Sequence, residues 1–550
     1  MTLYQLPVVL MTSPSIVLVS INNVPMTRIL CKYFLPVQII VVILHPKPNE
    51  KQTMGTIAQQ SIRGAVANYL GVAIGFLTTF FVLTRCLTEE EVGLTRMMVD
   101  AATLFSSLAM LGINASLVRY FPWFDNGRRN RGIFGWSLLV PAVGFTVMLT
   151  LFFIFRTQLI DIYAPNSPLA ADYFYLLPML TIFTVYITVF ETNASVLMKV
   201  AIPKMVREVG IRVLNLAAYI LYGTHIISFT GFMWLFCGSY GAAMLLNLFY
   251  LIKLGRISLK IERGFPDRAM LREMGSYSLY MTATVLAGSV PLMNSLFLGA
   301  KAGAALTGVY AIASYMANVV EVPYRSLGAI AKPVVSKAVK EDNFVEVNRL
   351  VREVSLHQLL VSLLIFFVIY INLDVLFALL PGGERYAGGA IVVVLLGLAK
   401  VVNSSLSIGT DVLNFSRHYR VGVLLVFVLT ATAIFLNTQL ISAWGIGGAA
   451  AATLLSYAFY FLLMLSFVWW KLRVSVFSAG QLKVIAMMVA LALMELVWRN
   501  TVTPLVGHMI VDAVLKTAVL GIVAAAITYF WRISPTVNAL VDKYLPKRGN

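Results

Sequence analysis

Long apolar segments recur along almost the whole chain. Runs of roughly 20 apolar residues alternate with short polar segments, and each run is long enough to cross the ~30 Å hydrocarbon core of a bilayer as a helix. The pattern predicts an all-α polytopic membrane protein with about fourteen transmembrane helices. They are predicted at residues 62–84, 93–117, 133–155, 173–197, 206–226, 229–252, 274–299, 305–331, 355–380, 389–412, 420–440, 445–469, 482–499 and 509–531.

The basic residues between these helices are distributed asymmetrically. Thirty Lys and Arg residues fall on one side of the predicted topology, and six fall on the other: Arg85, Arg96, Arg156, Lys301, Arg385 and Arg499. Cytoplasmic loops of membrane proteins are enriched in Lys and Arg. We therefore expect a multi-pass inner-membrane protein in which both ends of the helical body face the cytoplasm.

Composition supports a membrane protein and argues against nucleic-acid binding. The 550 residues are 59% apolar and 12% charged, with a mean hydropathy of +0.84, whereas a soluble protein carries about twice that charged fraction. The net charge of +18 is spread over short inter-helix clusters rather than one basic patch. Three cysteines, an odd number without metal-ligand spacing, indicate neither a disulfide framework nor a zinc site.

The first 53 residues do not fit the pattern of the rest. Their two apolar runs are short and are broken by Pro14, Pro25 and Pro36, and no basic segment precedes the first run as in a signal peptide. We expect residues 1–53 to be an extension of doubtful nativeness and Met54 to open the native protein.

Short matches between the two halves of the chain indicate an internal duplication. Residues 91–94 (EVGL), at the start of the second predicted helix, resemble residues 306–310 (LTGVY), at the start of the eighth; residues 241–243 (GAA) resemble 448–450 (GAA). The matches predict two six-helix bundles in the same orientation, which can rock about a central cavity. The predicted units are residues 54–260, residues 261–470, and residues 471–550 with two extra helices and a cytoplasmic tail.

Ionisable side chains inside predicted spans are candidate functional residues, because a charge in the bilayer is costly unless it faces a wet cavity or a partner. Arg96 and Asp100 in the second predicted helix, and Glu321 and Arg325 in the eighth, are spaced i, i+4, so each pair shares one helix face. The pairs either neutralise themselves or line the cleft between the repeats. Both interpretations stay open from the sequence.

Two further spans carry buried charge. Lys400 lies midway along the tenth predicted helix and is followed by a polar stripe that ends at Asp411. A cation at this depth suits an anionic substrate, but Lys400 could also be a structural residue paired with Asp411 or Glu191. Glu191 belongs to a polar patch in the fourth helix, with Arg212 as its candidate partner; the patch either binds polar groups of a substrate or holds helices together.

Other features concern packing and energy supply. Gly71 and Gly75 form a GxxxG pair that is typical of close helix packing, and prolines 141, 178, 291 and 323 predict interruptions of four helices. The sequence contains no GxxxxGK[ST] loop for ATP, and its five histidines lack metal-ligand spacing. We therefore expect a protein that is not an enzyme and uses no cofactor or metal.

Several segments resemble the polysaccharide-exporter branch of the multidrug/oligosaccharidyl-lipid/polysaccharide (MOP) flippase superfamily. The resemblance rests on residues 61–64 (SIRG), 87–94 (LTEEEVGL), 117–122 (LVRYFP), 202–204 (IPK), 212–214 (RVL), 307–310 (TGVY) and 444–449 (WGIGGA). It implies two six-helix bundles in a V, alternating access, and a polyprenyl-diphosphate-linked oligosaccharide as substrate for cell-surface polysaccharide such as lipopolysaccharide. The expected partners are this substrate, membrane lipids, and a glycan polymerase or glycosyltransferases.

Three alternatives follow from the same helices. A cation-coupled multidrug antiporter of the superfamily usually has acids in helices 1 and 7, where the predicted spans here contain neither Asp nor Glu. A lipid II flippase fits the charge pattern equally well. A membrane-embedded glycosyltransferase or polymerase would need a sizeable extramembrane loop, and no inter-helix loop predicted here exceeds about two dozen residues.

Overall fold

The computed structural model describes Gly71 and residues 74–124, 132–255 and 266–544. The prediction for residues 1–53 lies outside these residues. The described residues from 71 to 538 belong to one compact unit. Within the described part of the chain every regular element is a helix. This confirms the all-α polytopic fold class.

Eight helices form the N-terminal part of the fold. The second begins with a capping box: Thr88 Oγ1 accepts from the Glu91 backbone N–H at 3.3 Å, and Glu91 Oε2 accepts from the Thr88 N–H at 2.8 Å. Such reciprocal bonds satisfy donors that the first helical turn leaves unpaired. The helices are α1 (Ile74–Cys86), α2 (Glu89–Ala109), α3 (Ile113–Phe124), α4 (Ile133–Ile154), α5 (Arg156–Tyr163), α6 (Pro168–Val196), α7 (residues 201–223) and α8 (Phe229–Lys253).

The remaining helices follow residue 266. They are α9 (Arg268–Ala287), α10 (Val290–Lys301), α11 (Ala304–Asn318), α12 (Val322–Lys340), α13 (Phe344–Ile371), α14 (Leu373–Ala378), α15 (Ala390–Phe415), α16 (Tyr419–Leu472), α17 (Ala479–Thr501), α18 (Thr503–Val506), α19 (Met509–Phe530) and α20 (Pro535–Tyr544).

Nine helices of the described residues are long and apolar enough to span a membrane, or ten if the bent pair α2 and α3 is one span. These two helices meet at an angle of 44°, where Leu111 and Gly112 adopt positive φ. The 54 residues of α16 cover two predicted spans and are interrupted at Gly445, whose φ of 54° and ψ of −128° are not helical. The predicted number of fourteen spans stays a prediction.

Three of the four prolines named above coincide with an irregularity in the helix. Pro291 lies in the first turn of α10, Pro178 lies inside α6 just after the 3-10 turn Phe174–Leu176, and Pro323 follows the 3-10 turn Val319–Glu321. Proline is tolerated at the start of an α-helical segment, because the N–H that it lacks is one of those left unpaired there. Pro141 differs, because it lies inside the unbroken α4. The predicted interruption is therefore absent at Pro141, the one position without an adjacent irregularity.

Helices α2 and α11 cross at equivalent glycines of the predicted duplication. A Cβ atom on Gly93 would collide with the carbonyl oxygen of Ala304, and one on Gly308 would collide with the carbonyl oxygen of Glu89. Each glycine thus contacts the residue four positions before the other, which is the reciprocal contact that a two-fold axis produces. The contact supports a duplication; the predicted unit boundaries stay a prediction.

Candidate functional site

A cavity of about 450 Å³ lies between the predicted halves of the fold. Helices α1, α2, α6, α7 and α8 form most of its wall, and α11 with the first turn of α12 forms the rest. The volume is that of an ordinary small-molecule site. The charged residues among its described lining are Arg96, Arg207, Glu208, Arg212 and Arg325.

Arg96 is held by partners on two helices. Its Nε lies 2.6 Å from Asp100 Oδ2, and its guanidinium lies over the Tyr315 ring at 5.6 Å. Asp100 is 3% exposed and also accepts a hydrogen bond from Ser295 Oγ at 2.6 Å. The pair is therefore both an intrahelical ion pair and part of the cavity wall, because Arg96 lines the cavity.

Arg207 lies in a π-helical turn of α7, Val206–Gly210, and Arg212 lies in the α-helical part that follows it. Arg207 Nη1 lies 2.9 Å from Glu191 Oε2, and Arg212 Nη2 lies 3.3 Å from Glu208 Oε2. The expected Glu191–Arg212 pair is therefore wrong: Arg207 occupies that place. π-Helical turns are rare and are frequent at functional sites.

Gly71, and Gly75 in the first turn of α1, pack against α7 at and just after this turn. Arg212 donates to the carbonyl oxygen of Gly71, and its guanidinium occupies the space beside Gly75. Glu208 lies against Gly71. The glycines thus allow close packing, as the GxxxG pattern predicts, but their neighbours are charged side chains of the cavity wall.

Arg325 lines the cavity, and its side chain is 71% exposed. Its partner Glu321 is 3.9 Å away and is also 3.2 Å from Lys400 Nζ, while Asn403 donates to Glu321 Oε1 at 3.0 Å. Lys400 is therefore paired, but with neither Asp411 nor Glu191, so both suggested partners are wrong. Glu321 and Lys400 are not among the described residues that line the cavity.

Asp411 belongs to a second cavity of about 280 Å³. Its Oδ1 lies 3.3 Å from Lys332 Nζ, and its Oδ2 has no hydrogen-bond partner among the residues that the structure describes. Tyr324, Asn403 and several polar side chains of α15 and α16 complete the lining. Asp411 is thus separate from the residues around the larger cavity.

The structure brings together three of the eight predicted site residues on the main cavity surface. Arg96, Arg212 and Arg325 line it, and three predicted acids each pair with one of its arginines: Asp100, Glu191 and Glu321. Sequence reasoning missed two lining residues, Arg207 and Glu208. It assigned Arg207 to the cytoplasmic charge pattern, and its spacing of five residues from Arg212 does not place the two on one face of an α-helix; the π-helical turn Val206–Gly210 changes that register.

Comparison with known proteins adds family information to this geometry. A family model described as "Polysaccharide biosynthesis protein" matches residues 57–339, slightly more than half of the 550 residues. No curated protein matches the sequence.

Several solved structures are similar in fold. The structural alignment with lipid II flippase MurJ in an inward closed conformation covers 87% of this chain and 100% of the MurJ chain, with a TM-score of 0.60 and 14% identity. An inward-facing multidrug resistance MATE family transporter of the MOP superfamily covers 74% and 94%, with a TM-score of 0.55 and 13% identity. A MOP superfamily transporter from Pyrococcus furiosus covers 78% and 100%, with a TM-score of 0.50 and 14% identity. At such identities the similarity shows the fold.

Proposed function

This chain belongs to the polysaccharide biosynthesis protein family, and we propose that it translocates a polyprenyl-diphosphate-linked oligosaccharide across the inner membrane by alternating access. The match confirms the resemblance to polysaccharide exporters, and the chain is a multi-pass membrane transporter or flippase. The substrate is the proposed part. It would serve cell-surface polysaccharide synthesis.

The observation that carries the substrate proposal is the cationic cavity wall. Four arginines and one glutamate are the charged residues of the described lining. Arginine presents a planar fork of donors that binds phosphate oxygens in pairs, and it remains charged at any physiological pH. A diphosphate taken from water needs such compensation.

Acid partners neutralise the arginines of the cavity wall. Glu191 and Glu208 pair with Arg207 and Arg212 at 2.9 and 3.3 Å. A diphosphate can compete with these carboxylates for the arginine donors, and the released carboxylates, which are 17% and 31% exposed, can then hydrogen-bond with water. The lipid tail would stay in the bilayer while the head group occupies the cavity.

A cation-coupled antiporter fits this cavity less well. Such a transporter releases a cationic drug when an acid in its binding cavity becomes protonated, whereas the lining acid described here, Glu208, is paired with Arg212 at 3.3 Å. An arginine-rich wall repels cations. The cavity charge therefore favours an anionic substrate.

A flipping assay in vesicles tests the proposal. Purified protein is reconstituted with a fluorescent polyprenyl-diphosphate oligosaccharide, and its movement between leaflets is followed by chemical quenching of the outer leaflet. We expect Arg207→Gln to slow flipping by at least about tenfold, as for loss of one charge-assisted phosphate contact. The matched control is Arg417→Gln, because Arg417 is 86% exposed and pairs with Asp342 away from the cavity.

Two results would decide against the proposal. Wild-type vesicles that flip the lipid no faster than protein-free vesicles would contradict it, and so would an Arg207→Gln variant as fast as the control. Vesicles that contain lipid II instead distinguish a cell-wall precursor from a surface-polysaccharide precursor, since both carry a diphosphate. A deletion strain should accumulate complete lipid-linked units on the cytoplasmic leaflet.

The proposed topology rests on the charge distribution. Both ends of the helical body are proposed to face the cytoplasm, where glycosyltransferases would supply the substrate, and a glycan polymerase would take the product on the other side. The substitutions Arg417→Cys and Arg385→Cys each introduce one cysteine, and the two positions lie on opposite sides of this topology. A membrane-impermeant thiol reagent on intact cells should label the position of Arg385 and not that of Arg417.

A further inference from the structure

Arg325 differs from the other three arginines of the main cavity wall. Those three guanidinium groups each lie 2.6–3.3 Å from a carboxylate oxygen. Arg325 Nη2 lies 3.9 Å from Glu321 Oε2, which is beyond the usual length of a hydrogen bond. Within the described part of the chain the guanidinium of Arg325 has no other acceptor. Its donors are therefore free to bind a ligand.

The gap between Arg325 and Glu321 is narrow enough to close. The two residues are four positions apart, a spacing at which side chains of one helix meet. A movement of about 1 Å would bring the guanidinium and the carboxylate within hydrogen-bond distance. The arginine is therefore free only as long as something else holds the carboxylate.

Two residues of α15 hold the carboxylate of Glu321 on its other side. Lys400 Nζ lies 3.2 Å from Glu321 Oε1, and Asn403 Nδ2 donates to the same oxygen at 3.0 Å. Lys400 and Asn403 are three positions apart, so they share one face of α15. Among the described residues, Oε1 thus has two close partners and Oε2 has none.

Burial makes Lys400 the stronger partner of Glu321. Both of these side chains are nearly nine-tenths buried, whereas Arg325 is mostly exposed to water. Opposite charges attract more strongly when they are closer and when water is excluded, and an exposed pair contributes little. Arg325 therefore loses the competition for the carboxylate while Lys400 is present.

On the basis of the proposed function, we propose that Lys400 is a positioning residue, which holds Glu321 on α15 and so keeps Arg325 free to bind a phosphate of the substrate. Lys400 is not among the described residues that line the main cavity, so it acts through Glu321 and does not touch the substrate. Without the ammonium, the buried carboxylate would take Arg325 as its partner, because a buried charge is costly when it is unpaired. The cavity would then lose one of its phosphate-binding cations.

Binding of a short-chain polyprenyl diphosphate that carries no sugar tests this role, because it reports the phosphate contacts alone. Its affinity for the purified full-length protein in micelles is measured by isothermal titration calorimetry. We expect Lys400→Met to weaken binding about tenfold, as for the loss of one charge-assisted contact. Lys400→Arg should keep most of the affinity, because an arginine at this position still neutralises Glu321.

The partner variants distinguish positioning from a purely structural ion pair. Glu321→Gln should bind the lipid at least as tightly as the wild type, since no carboxylate then competes for Arg325, whereas loss of either half of a structural pair would weaken binding alike. Arg325→Gln should weaken binding about tenfold. Adding Lys400→Met to Arg325→Gln should cause no further loss, because no arginine is left for Glu321 to block.

Lys516→Met is the matched control for removal of a buried ammonium. The Lys516 side chain is 9% exposed and lies 3.8 Å from Asp512 on α19, and neither residue is among the described lining of the main cavity. The affinity of this variant for the diphosphate lipid should equal that of the wild type.

The outcomes separate this inference from the proposed function. Wild-type affinity in Lys400→Met, weaker binding in Glu321→Gln, or an equal loss in Lys516→Met would each overturn the positioning role and leave the flippase proposal standing. So would a further loss when Lys400→Met is added to Arg325→Gln. If Lys400→Met does not fold, the sign of the change in Glu321→Gln decides in its place. Failure of the wild type to bind the diphosphate lipid would overturn the proposed function and this inference with it.

Discussion

The Glu321–Lys400 pair allows the energetic role of a buried charge in this fold to be measured. The side chains are 10% and 12% exposed, with 3.2 Å between Lys400 Nζ and Glu321 Oε1. Lys400→Met removes the ammonium and keeps most of the side-chain volume. Glu321 is then left with a hydrogen bond from Asn403 at 3.0 Å and with Arg325 at 3.9 Å.

The expected loss follows from these distances. Two unit charges 3.2 Å apart attract by about 5 kcal/mol at an effective dielectric constant of ~20. Removing one partner of a buried pair generally costs about 3–5 kcal/mol, because the other charge stays buried. Since Asn403 still bonds to Glu321, we expect the lower end, about 3 kcal/mol of unfolding free energy.

A double-mutant cycle separates pairing from burial. Unfolding of the purified protein in micelles is followed by far-UV circular dichroism during titration with dodecyl sulfate. Lys400→Met combined with Glu321→Gln should lose no more than about 1 kcal/mol, because no lone charge remains. Arg325→Met is the control, with a change within about 0.5 kcal/mol, since Arg325 is 71% exposed. A single Lys400→Met variant as stable as the wild type, or a double variant as unstable as the single, would refute this reasoning.

Three further predictions concern backbone contacts and the cavity. Gly93→Leu should lower the free energy of unfolding by about 3 kcal/mol, because a Cβ at this position meets backbone atoms of α11. Titration with dodecyl sulfate measures the loss against the control Gly238→Leu, where the space around the glycine is open. Equal losses in the two variants would argue against the close crossing of α2 and α11. Gly445→Ala should lower stability by about 1–3 kcal/mol through its φ of 54°, whereas Gly521→Ala in α19, which meets no neighbour, should not destabilise. Arg96→Ala should slow vesicle flipping while leaving membrane insertion unchanged, and full activity would dismiss its role in the cavity wall.

The apolar periodicity predicted the helical segments well because a bilayer imposes a strong, one-dimensional constraint. A span must be long and apolar enough to cross hydrocarbon wherever it packs. Breaks within spans were less predictable. The bend between α2 and α3 depends on positive φ at Leu111 and Gly112, and the interruption of α16 depends on Gly445; neither changes the apolar run around it.

Ion pairs within one helix were predictable from spacing, whereas ion pairs between helices were not. The i, i+4 spacing predicted Arg96 with Asp100, which lie 2.6 Å apart, because one helix sets that geometry. Glu191 and Lys400 have partners on other helices. Their predicted partners were wrong because the rotation and depth of neighbouring helices decide which charges meet.

The sequence by itself determined an all-α membrane protein, its family resemblance and a set of costly intramembrane charges, since these depend on local composition and spacing. The tertiary structure alone decided which charges face a common cavity. Close contact of Gly71 and Gly75 with α7 places Arg212 and Glu208 in that wall, and a π-helical turn adds Arg207. The physical reason is that a cavity is formed by side chains from several helices, whose relative register is fixed by packing rather than by any one segment.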